Sequence, residues 1–425
     1  MGLKIAVIGG GSTYTPELVE GLADRTASLP IDELVLHDVD GPRLEIVAGL
    51  AGRILERVGW PGRLTTTTDR DAAIEGASFV VIQLRVGGQS TRMSDETLPH
   101  RFGCIGQETA GPGGFAKTLR TVPVVLDLAE QVGRTAAPDA WIVDFTNPVG
   151  IVTQALLDAG HRAIGLCNVA IGVQRRMAAR FGVTPERVEL EHVGLNHLTW
   201  VRAIRVDGVD RLPELIADHA DELADESGTP AELVKALGAL PSYYLHYYYG
   251  TGEVLAAQLA GHTRAEDVMQ IERELLELYR DPTLDRKPSL LESRGGAFYS
   301  EAAAQLMASL HAGTGDVQVV DVRNDGALPD LPATAVVEIP ARIDRDGAHP
   351  LPLAPLAPEI RGLVQRAKAY EELAIRAALT GDERIALLAL LANPLVPDLP
   401  AAEGLLEAIL EVNLRFLPKF ANARP

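Results

Sequence analysis

Two residues that can bind a transition metal, a cysteine and a histidine, each follow a predicted strand in this chain. Cys167 ends the apolar run 163–167, and His197 comes shortly after the predicted strand 188–193. Both side chains are good ligands for a divalent transition metal, but their separation is too long for a zinc finger and is not specific. A small buried cysteine and a hydrogen-bonded structural histidine are the more common outcomes for such residues. On composition alone, therefore, these structural roles are favoured over a metal site.

A tyrosine-rich segment is the second candidate for chemistry. Residues 241–249 contain five of the nine tyrosines of the chain, and Tyr244 is one of them. An aromatic core or interface is the ordinary interpretation of such a segment. A tyrosine can act as a general base only if nearby positive charge lowers its pKa, which is normally about 10. A metal ion and an oxidised nicotinamide would supply that charge.

Arginines are candidates for holding an anionic substrate, because the guanidinium group pairs bidentately with phosphate or carboxylate. The candidates are Arg85, Arg120, Arg264 and Arg294. Taken without their context, each of these arginines is more often part of a surface salt bridge. The arginines alone therefore do not define an anion site.

A glycine turn follows the apolar run 3–8, which predicts a buried parallel strand. Glycines let the backbone turn sharply and approach a ligand closely. Thr15 followed by Pro16 predicts a helix with Thr15 as its N-cap. Free amides and the helix dipole make such a turn a site for anions. The turn consists of Gly9, Gly10, Gly11, Ser12 and Thr13.

Asp38 ends a second apolar run, 33–38. It has the place of the carboxylate that binds ribose in dinucleotide-binding folds, although it lies somewhat further from the turn than the usual ~20 residues. The turn alone is a weak signal, because Tyr14 stands where the standard fingerprint has its third glycine. Asp38 alone could simply cap a loop. The two features together predict dinucleotide binding.

Strand and helix patterns alternate through the first part of the chain, which predicts an α/β fold with a doubly wound parallel sheet. Ligands of such a sheet bind at the carboxyl ends of its strands. A long glycine-containing connection is predicted between residue 85 and Phe115, and loops of that length are usually functional. The predicted strands are 63–68, 79–84, 141–145 and 163–167, and the predicted helices are 43–58 and 118–132.

The pattern changes after Cys167, and we place a domain boundary near Asn168. We predict an NAD-binding Rossmann-like domain over 1–168 and a mixed α+β domain over 169–425 that supplies the substrate side and the oligomer contacts. The predicted strands of the second domain are 188–193, 200–206 and 335–343, and its helices are 174–181, 213–237, 265–279, 302–311 and those from 359 onward.

Composition narrows the range of partners. The chain has 425 residues and a net charge of −19, which argues against nucleic acid and anionic membranes. No apolar run approaches the ~20 residues of a membrane helix, and the N-terminus enters a strand at once, unlike a signal peptide. The two cysteines, Cys104 and Cys167, exclude a disulfide framework, so we expect a reducing, cytoplasmic location.

Several short motifs occur along nearly the whole chain, and their order and number are specific. Together they resemble glycoside hydrolase family 4, the NAD- and metal-dependent glycosidases. The motifs are residues 9–16 (GGGSTYTP), 85–88 (RVGG), 105–109 (IGQET), 111–115 (GPGGF), 146–148 (TNP), 165–168 (GLCN), 194–197 (GLNH), 244–245 (YL) and 294–300 (RGGAFYS).

The resemblance implies the roles of individual residues. The cysteine and histidine that match Cys167 and His197 bind the metal ion, typically manganese. The tyrosine that matches Tyr244 removes the proton from C2 of the sugar. The resemblance also implies NAD as the cofactor and two arginines that lie near the 6-phosphate of the substrate. Those arginines are Arg85 and Arg264, and Asn147 matches an asparagine beside the substrate.

Asn168 stands where the α-specific members have an aspartate that serves as the acid. This departure resembles the 6-phospho-β-glucosidase branch and leaves the acid for the leaving group unassigned. The implied reaction is hydrolysis of a small phosphorylated disaccharide or β-glucoside. It proceeds by NAD-dependent oxidation at C3, metal-assisted removal of the C2 proton, elimination, addition of water and re-reduction. Ordinary glycosidases use two carboxylates instead. We also expect a homodimer or a homotetramer.

Three alternatives stay open. The first is another specificity of the same family, α-galactosidase or 6-phospho-α-glucosidase. The second is an NAD-dependent hydroxy-acid dehydrogenase, which needs no metal and consumes NAD stoichiometrically. The third is a nucleotide-sensing regulatory module, which would keep the glycine turn but has no need for the metal pair or Tyr244.

Overall fold

A computed structural model of the protein describes residues 2–295 and 298–421. Its strands and helices alternate through the first part of the chain, as the sequence predicts. In chain order the strands are β1 (Leu3–Ile8), β2 (Ile31–His37), β3 (Arg63–Thr67), β4 (Phe79–Ile82), β5 (Trp141–Asp144), β6 (Ala163–Gly165), β7 (Val188–Leu195), β8 (Leu198–Val206), β9 (Val209–Asp210), β10 (Leu240–Pro241), β11 (Asp316–Arg323), β12 (Val336–Asp344) and β13 (Gly347–Pro350).

The helices pack on both faces of the larger sheet and continue to the end of the described chain. No helix among residues 2–295 and 298–421 is both long and apolar enough to cross a membrane. In chain order the helices are α1 (Thr15–Ala23), α2 (Gly41–Arg57), α3 (Arg70–Ile74), α4 (Gly88–Thr97), α5 (Gly111–Thr135), α6 (Val149–Asp158), α7 (Asn168–Phe181), α8 (Leu212–Ser227), α9 (Ala231–Leu237), α10 (His246–Tyr249), α11 (Thr251–Ala260), α12 (Arg264–Tyr279), α13 (Leu290–Arg294), α14 (Tyr299–Ala312), α15 (Pro358–Thr380), α16 (Glu383–Ala392), α17 (Leu399–Asn413) and α18 (Pro418–Ala421).

The predicted doubly wound parallel sheet is confirmed. The order of the large sheet is β13-β12-β11-β6-β5-β4-β1-β2-β3, and neighbouring strands from β6 to β3 run parallel. The chain builds outward from β1 in one direction and from β4 in the other. The strand order therefore reverses between β1 and β4, which is where open α/β sheets bind their ligands.

Strands from the second half of the chain extend this sheet. β11 pairs antiparallel with β6 and with β12, and β12 pairs with β13. Asp321 on β11 lies opposite Gly165 on β6. Gly165 is two residues before Cys167. No strand is predicted from the sequence at β11. The division of the chain into domains at residue 168 remains a prediction.

A smaller sheet holds the hairpin that carries His197. β7 and β8 pair antiparallel and are joined by the turn Asn196-His197, and β9 and β10 pair with β8. Apolar residues of this hairpin, Val193 and Trp200 among them, pack in one core with Val337 and Ile339 of β12. The hairpin turn is therefore fixed against the edge of the large sheet.

The connection between β4 and Phe115 is mostly helical, and the prediction of a long loop was wrong. α4 and the 3-10 segment Leu98–Phe102 occupy it, and α5 begins at Gly111 instead of Thr118. The sequence of α4 is polar and shows no apolar period. Its helical form is stabilised instead by buried charged side chains such as Arg92 and Asp95, which depend on tertiary partners.

The start of α1 also differs from the prediction by one position. The helix begins at Thr15, and Tyr14 occupies the N-cap position without a capping bond from its side chain. The hydroxyl of Tyr14 instead accepts a hydrogen bond from the backbone of Ser300, at 3.1 Å. The Tyr14 side chain therefore binds an amide in the first turn of α14 (Tyr299–Ala312) instead of capping α1.

Candidate active site

The thiol of Cys167 lies at the carboxyl end of β6, directly before α7. Its side chain is almost fully buried, with a relative exposure of 3%. Burial and the negative charge of Glu338 raise the pKa of this thiol well above its usual value. The backbone of Val169 and the amide of Asn196 act in the opposite direction, but their effect is smaller. The group is therefore a neutral thiol in the metal-free site, and binding of a metal ion would release its proton.

The tautomer of His197 follows from its hydrogen bonds. Oε1 of Gln107 accepts from the backbone of Ala110 at 2.7 Å and from the hydroxyl of Thr109 at 2.8 Å. The hydroxyl proton of Thr109 is thus already donated, so its oxygen accepts from Nδ1 of His197, at 2.9 Å. Nε2 then carries the lone pair that can bind a metal ion. Burial lowers the pKa of His197 to about 4, which keeps the ring neutral.

Tyr244 lies flat on His197. The ring centroids are 3.6 Å apart and the planes are inclined by 8°. Burial, and then the proximity of Cys167 and Tyr247, raises the pKa of the Tyr244 phenol well above its usual value. The phenol is therefore protonated in the absence of a positive charge beside it. The structure thus brings Cys167, His197 and Tyr244 together, as the resemblance implies.

The donor set fits a divalent transition metal. A thiol sulfur and a neutral imidazole nitrogen are ligands of intermediate softness that such ions accept. Within residues 2–295 and 298–421, no group of three or more His, Cys, Asp or Glu side chains is arranged to hold a metal. Two protein ligands would leave coordination positions open to a substrate, as catalytic metal sites do.

The glycine turn joins the end of β1 to Asp38. Gly9 has a φ of +93°, a conformation that favours glycine. The backbone amides of Gly9 and Gly10 both donate to the carbonyl of His37, at 2.9 and 2.7 Å. The amide of Gly11 donates to Oδ2 of Asp38 at 2.9 Å, and a Cβ on Gly11 would lie 2.8 Å from that oxygen. The turn and Asp38 therefore form one cradle, which fits a dinucleotide.

Ser12 and Thr13 continue this cradle toward the second half of the chain. Oγ of Ser12 lies 3.5 Å from Nη2 of Arg294, and Oγ1 of Thr13 lies 3.5 Å from Oε1 of Glu272. Glu272 also accepts from Arg294 and Arg43, at 3.2 and 3.1 Å. The predicted substrate candidate Arg294 therefore connects the glycine turn to Glu272 of α12.

Arg85 enters a buried charge cluster at the carboxyl end of β4. It forms an ion pair with Glu108, which also accepts from Lys117 at 2.8 Å and lies 3.4 Å from Arg92. Burial alone would raise the pKa of Glu108, but these three cations hold it well below its usual value. Glu96 pairs with Arg92 at 2.7 Å. Three cations thus face two carboxylates, and the excess positive charge can attract an anion.

The other predicted arginines occupy different surroundings. Arg120 is 1% exposed, and its guanidinium binds Asp95 and Asn413, so it is a structural residue and not a substrate ligand. The side chain of Arg264 is 48% exposed at the start of α12 and lies 4.0 Å from Asp267. It donates to the carbonyl of Ser293 at 2.7 Å. Among the described residues, no hydrogen bond or ion pair joins Arg264 to the Arg85 cluster.

Asn147 and Asn168 follow adjacent strands, β5 and β6, at the edge that carries Cys167. Oδ1 of Asn147 is buried and has no hydrogen-bond partner among the residues that the structure describes. A buried acceptor of this kind requires a donor, and a sugar hydroxyl would provide one. Asn168 is the first residue of α7 and is half-buried.

Several residues of this site are not predicted from the sequence. Thr109 sets the tautomer of His197, and Glu108 organises the cations around Arg85. Glu338 is buried beside Cys167 and the hairpin turn. One signal for Glu338 is present in the sequence, because it is a charged residue inside the apolar predicted strand 335–343. A charge in such a strand must find a partner when it is buried.

The glycine cradle where the strand order reverses, and a thiol, an imidazole and a phenol at the same edge of the sheet, are typical of an enzyme that uses a dinucleotide and a metal ion. Residues 4–183 match the family model described as Family 4 glycosyl hydrolase, and residues 192–396 match the Family 4 glycosyl hydrolase C-terminal domain. The chain belongs to glycosyl hydrolase family 4, and the predicted resemblance is confirmed.

Relatives of known name cover nearly the whole chain. The "probable 6-phospho-beta-glucosidase" of Bacillus subtilis is 43% identical over 99% of this chain and 98% of its own length. The solved 6-phospho-beta-glucosidase of Thermotoga maritima, with NAD and glucose-6-phosphate, has a TM-score of 0.93 at 36% identity and covers 98% of this chain and 99% of its own. Another structure of it contains manganese, NAD+ and glucose-6-phosphate, with a TM-score of 0.91, 35% identity and coverage of 97% and 99%.

A relative that is named for another substrate is less similar. The maltose-6'-phosphate glucosidase of Bacillus subtilis is 29% identical over 98% of this chain and 97% of its own length. The similarity thus favours the 6-phospho-β-glucosidase branch, and the presence of Asn168 favours the same branch.

Proposed function

We infer that this protein is a 6-phospho-β-glucosidase that requires NAD and a divalent metal ion such as Mn²⁺. The observation that carries the inference is the stack of Tyr244 on His197 beside Cys167, with centroids 3.6 Å apart. A phenol next to the two proposed metal ligands, at the carboxyl end of the sheet, supports this activity. Family membership and the names of the relatives support the same activity.

The residues then have distinct tasks. When bound, NAD supplies reversible oxidation at the sugar C3 and the metal ion supplies Lewis-acid stabilisation of developing negative charge. Cys167 through its sulfur and His197 through Nε2 would hold the metal ion. Tyr244 takes the proton from C2. Because burial raises the pKa of Tyr244, it becomes a base only when positive charge stands beside it.

Recognition of the substrate is assigned to the surrounding polar groups. Asn147, whose Oδ1 is buried without a partner among the described residues, accepts from a sugar hydroxyl. Asn168 lies one residue from the metal ligand and faces the same end of the sheet. Arg85 and Arg264 are proposed for the 6-phosphate of a small disaccharide or β-glucoside. Asp38 and the glycine turn hold the dinucleotide.

We further propose a homodimer or homotetramer in the cytoplasm. All ten residues of α11, which the structure describes in full, are at least partly exposed, although its sequence is largely apolar. Leu259 is 62% exposed, and a second copy of the chain would cover such a surface. A reducing compartment suits Cys167, because an oxidised thiol cannot bind a metal ion.

The decisive assay uses a chromogenic 6-phospho-β-glucoside with and without NAD and Mn²⁺. We expect aglycone release only when both are present, without accumulation of reduced cofactor, because the hydride returns to the sugar. Stoichiometric accumulation of reduced cofactor would instead indicate a dehydrogenase. Faster turnover of the matched 6-phospho-α-glucoside would place the protein in the α-specific branch. Equal turnover of the unphosphorylated glucoside would contradict phosphate recognition.

A further inference from the structure

Glu338 is a buried carboxylate that joins the two sheets. It lies on β12 opposite Asp321 of β11 and is 1% exposed. Its Oε1 lies 2.9 Å from Nε2 of His192, and its Oε2 accepts from Nδ2 of Asn196 at 2.8 Å. Both partners belong to the β7 hairpin, in which Asn196 is the residue before His197. A buried carboxylate with two such bonds fixes that hairpin in position.

Asn196 connects this carboxylate to the other metal ligand. The same amide lies within reach of the sulfur of Cys167. An amide group carries two N–H donors, so one amide can serve Glu338 and Cys167 together. The backbone of α6 also approaches Asn196 closely, since a Cβ on Gly150 would lie 3.0 Å from Cβ of Asn196. The side chain of Asn196 is therefore in contact with both β12 and α6.

We propose that Glu338 and Asn196 are positioning residues that hold Cys167 and His197 in the arrangement that binds the metal ion. Glu338 orients the Asn196 amide, and that amide orients the sulfur of Cys167. Asn196 also fixes the backbone from which His197 projects with a φ of +62°. Partners that orient metal ligands typically contribute about 10- to 100-fold to metal affinity. The proposal rests on the proposed function, because it takes Cys167 and His197 as metal ligands.

Metal affinity tests the proposal without any turnover. The NAD-bound protein is stripped with chelator and titrated with Mn²⁺, and free Mn²⁺ is followed by electron paramagnetic resonance. Glu338→Gln keeps the shape of the side chain but leaves only one acceptor oxygen for two donors. We expect a Kd for Mn²⁺ about 10- to 100-fold above the wild-type value, with unchanged NAD affinity. Replacement of Mn²⁺ by Co²⁺ should weaken the thiolate-to-cobalt absorption band in the same variant.

Glu371→Gln is the matched control. Glu371 is also a buried carboxylate, 7% exposed, and it pairs with Lys368 rather than with the hairpin. We expect wild-type Mn²⁺ affinity for this variant. The double variant Asn196→Ala/Glu338→Gln should lose no more affinity than either single variant, because two residues that act as a unit are not additive.

The outcomes separate the two inferences. If the wild-type protein binds no Mn²⁺, the proposed function fails. If the wild type binds Mn²⁺ and Glu338→Gln binds it equally well, the positioning role is overturned. If Glu338→Gln does not fold, Asn196→Ala decides, because it keeps the bond between Glu338 and His192. Wild-type Mn²⁺ affinity in Asn196→Ala would then overturn the role.

Discussion

The imidazole of His197 and the phenol of Tyr244 lie face to face, with ring centroids 3.6 Å apart and planes inclined by 8°. The two residues come from different elements, the β7–β8 turn and the 3-10 segment Tyr243–Leu245. Contact between the rings does not involve the phenol hydroxyl, so that hydroxyl is available for chemistry. Packing and proton transfer at Tyr244 can therefore be separated by experiment.

Removal of the Tyr244 hydroxyl should abolish most turnover while the stack persists. A general base typically contributes about 10²- to 10⁴-fold, and we expect Tyr244→Phe to lose kcat within that range. Affinities for NAD and Mn²⁺ should stay near wild type. Tyr243→Phe is the control, since Tyr243 is 55% exposed.

In the wild type, solvent deuterium should appear at C2 of the product sugar. Its absence would eliminate the proposed proton removal.

Loss of the Cys167 thiol should weaken metal binding. A serine hydroxyl is a poor substitute for a thiolate ligand, so Cys167→Ser should require a much higher Mn²⁺ concentration for half-maximal activity. Chelator should inactivate the wild type, and added Mn²⁺ should restore it. Cys104→Ser is the matched control, because Cys104 is also a buried free cysteine and packs among apolar residues such as Phe115 and Leu119. Metal-independent turnover by Cys167→Ser would refute the ligand assignment.

Arg264 tests recognition of the phosphate. Its guanidinium is half-exposed and is held by one carbonyl, so it can turn toward an anion at low cost. Loss of a hydrogen bond to a charged group costs about 1.5–3 kcal/mol, so Arg264→Ala should raise KM for the phosphorylated substrate roughly 10- to 100-fold, with NAD affinity unchanged. Arg280→Ala, at the other end of α12, should leave KM unchanged. An unaltered KM in Arg264→Ala would remove this arginine from the phosphate site.

Asp144 should make the stability of the protein depend on pH. Burial raises the pKa of Asp144 to about 8, although hydrogen bonds from Thr146 and Thr153 act to lower it. An aspartate in the unfolded chain has a pKa of about 3.9. The folded state therefore retains a proton that the unfolded state loses. This contribution to stability is complete below about pH 4 and disappears as the pH rises toward 8.

Asp144→Asn carries no such proton and should remove this part of the pH dependence. We expect the Tm of Asp144→Asn minus the Tm of wild type, measured by calorimetry, to be several degrees larger at pH 8 than at pH 4. Asp139→Asn provides the comparison, since the side chain of Asp139 is 94% exposed. For that variant, the Tm difference from wild type should be the same at both pH values. A constant difference for Asp144→Asn as well would show that Asp144 is ionised in the folded protein.

The sequence alone determined the features that depend on neighbouring residues. The apolar run 3–8 before the glycine turn predicts β1, and the run 33–38 predicts β2 ending next to Asp38. Both features follow from local backbone freedom and from burial on both faces of a parallel strand. The motifs also identified the family, because their order along the chain needs no knowledge of contacts.

Only the tertiary structure decided how the site is supported. Thr109 and His197 are 88 residues apart, and His192 and Glu338 are 146 apart, so no local pattern records either contact. The same limit explains the polar helix α4, whose buried charges find their partners only in the folded protein. A buried charge is stable only beside a specific counterpart, and the fold, not the local sequence, brings that counterpart into reach.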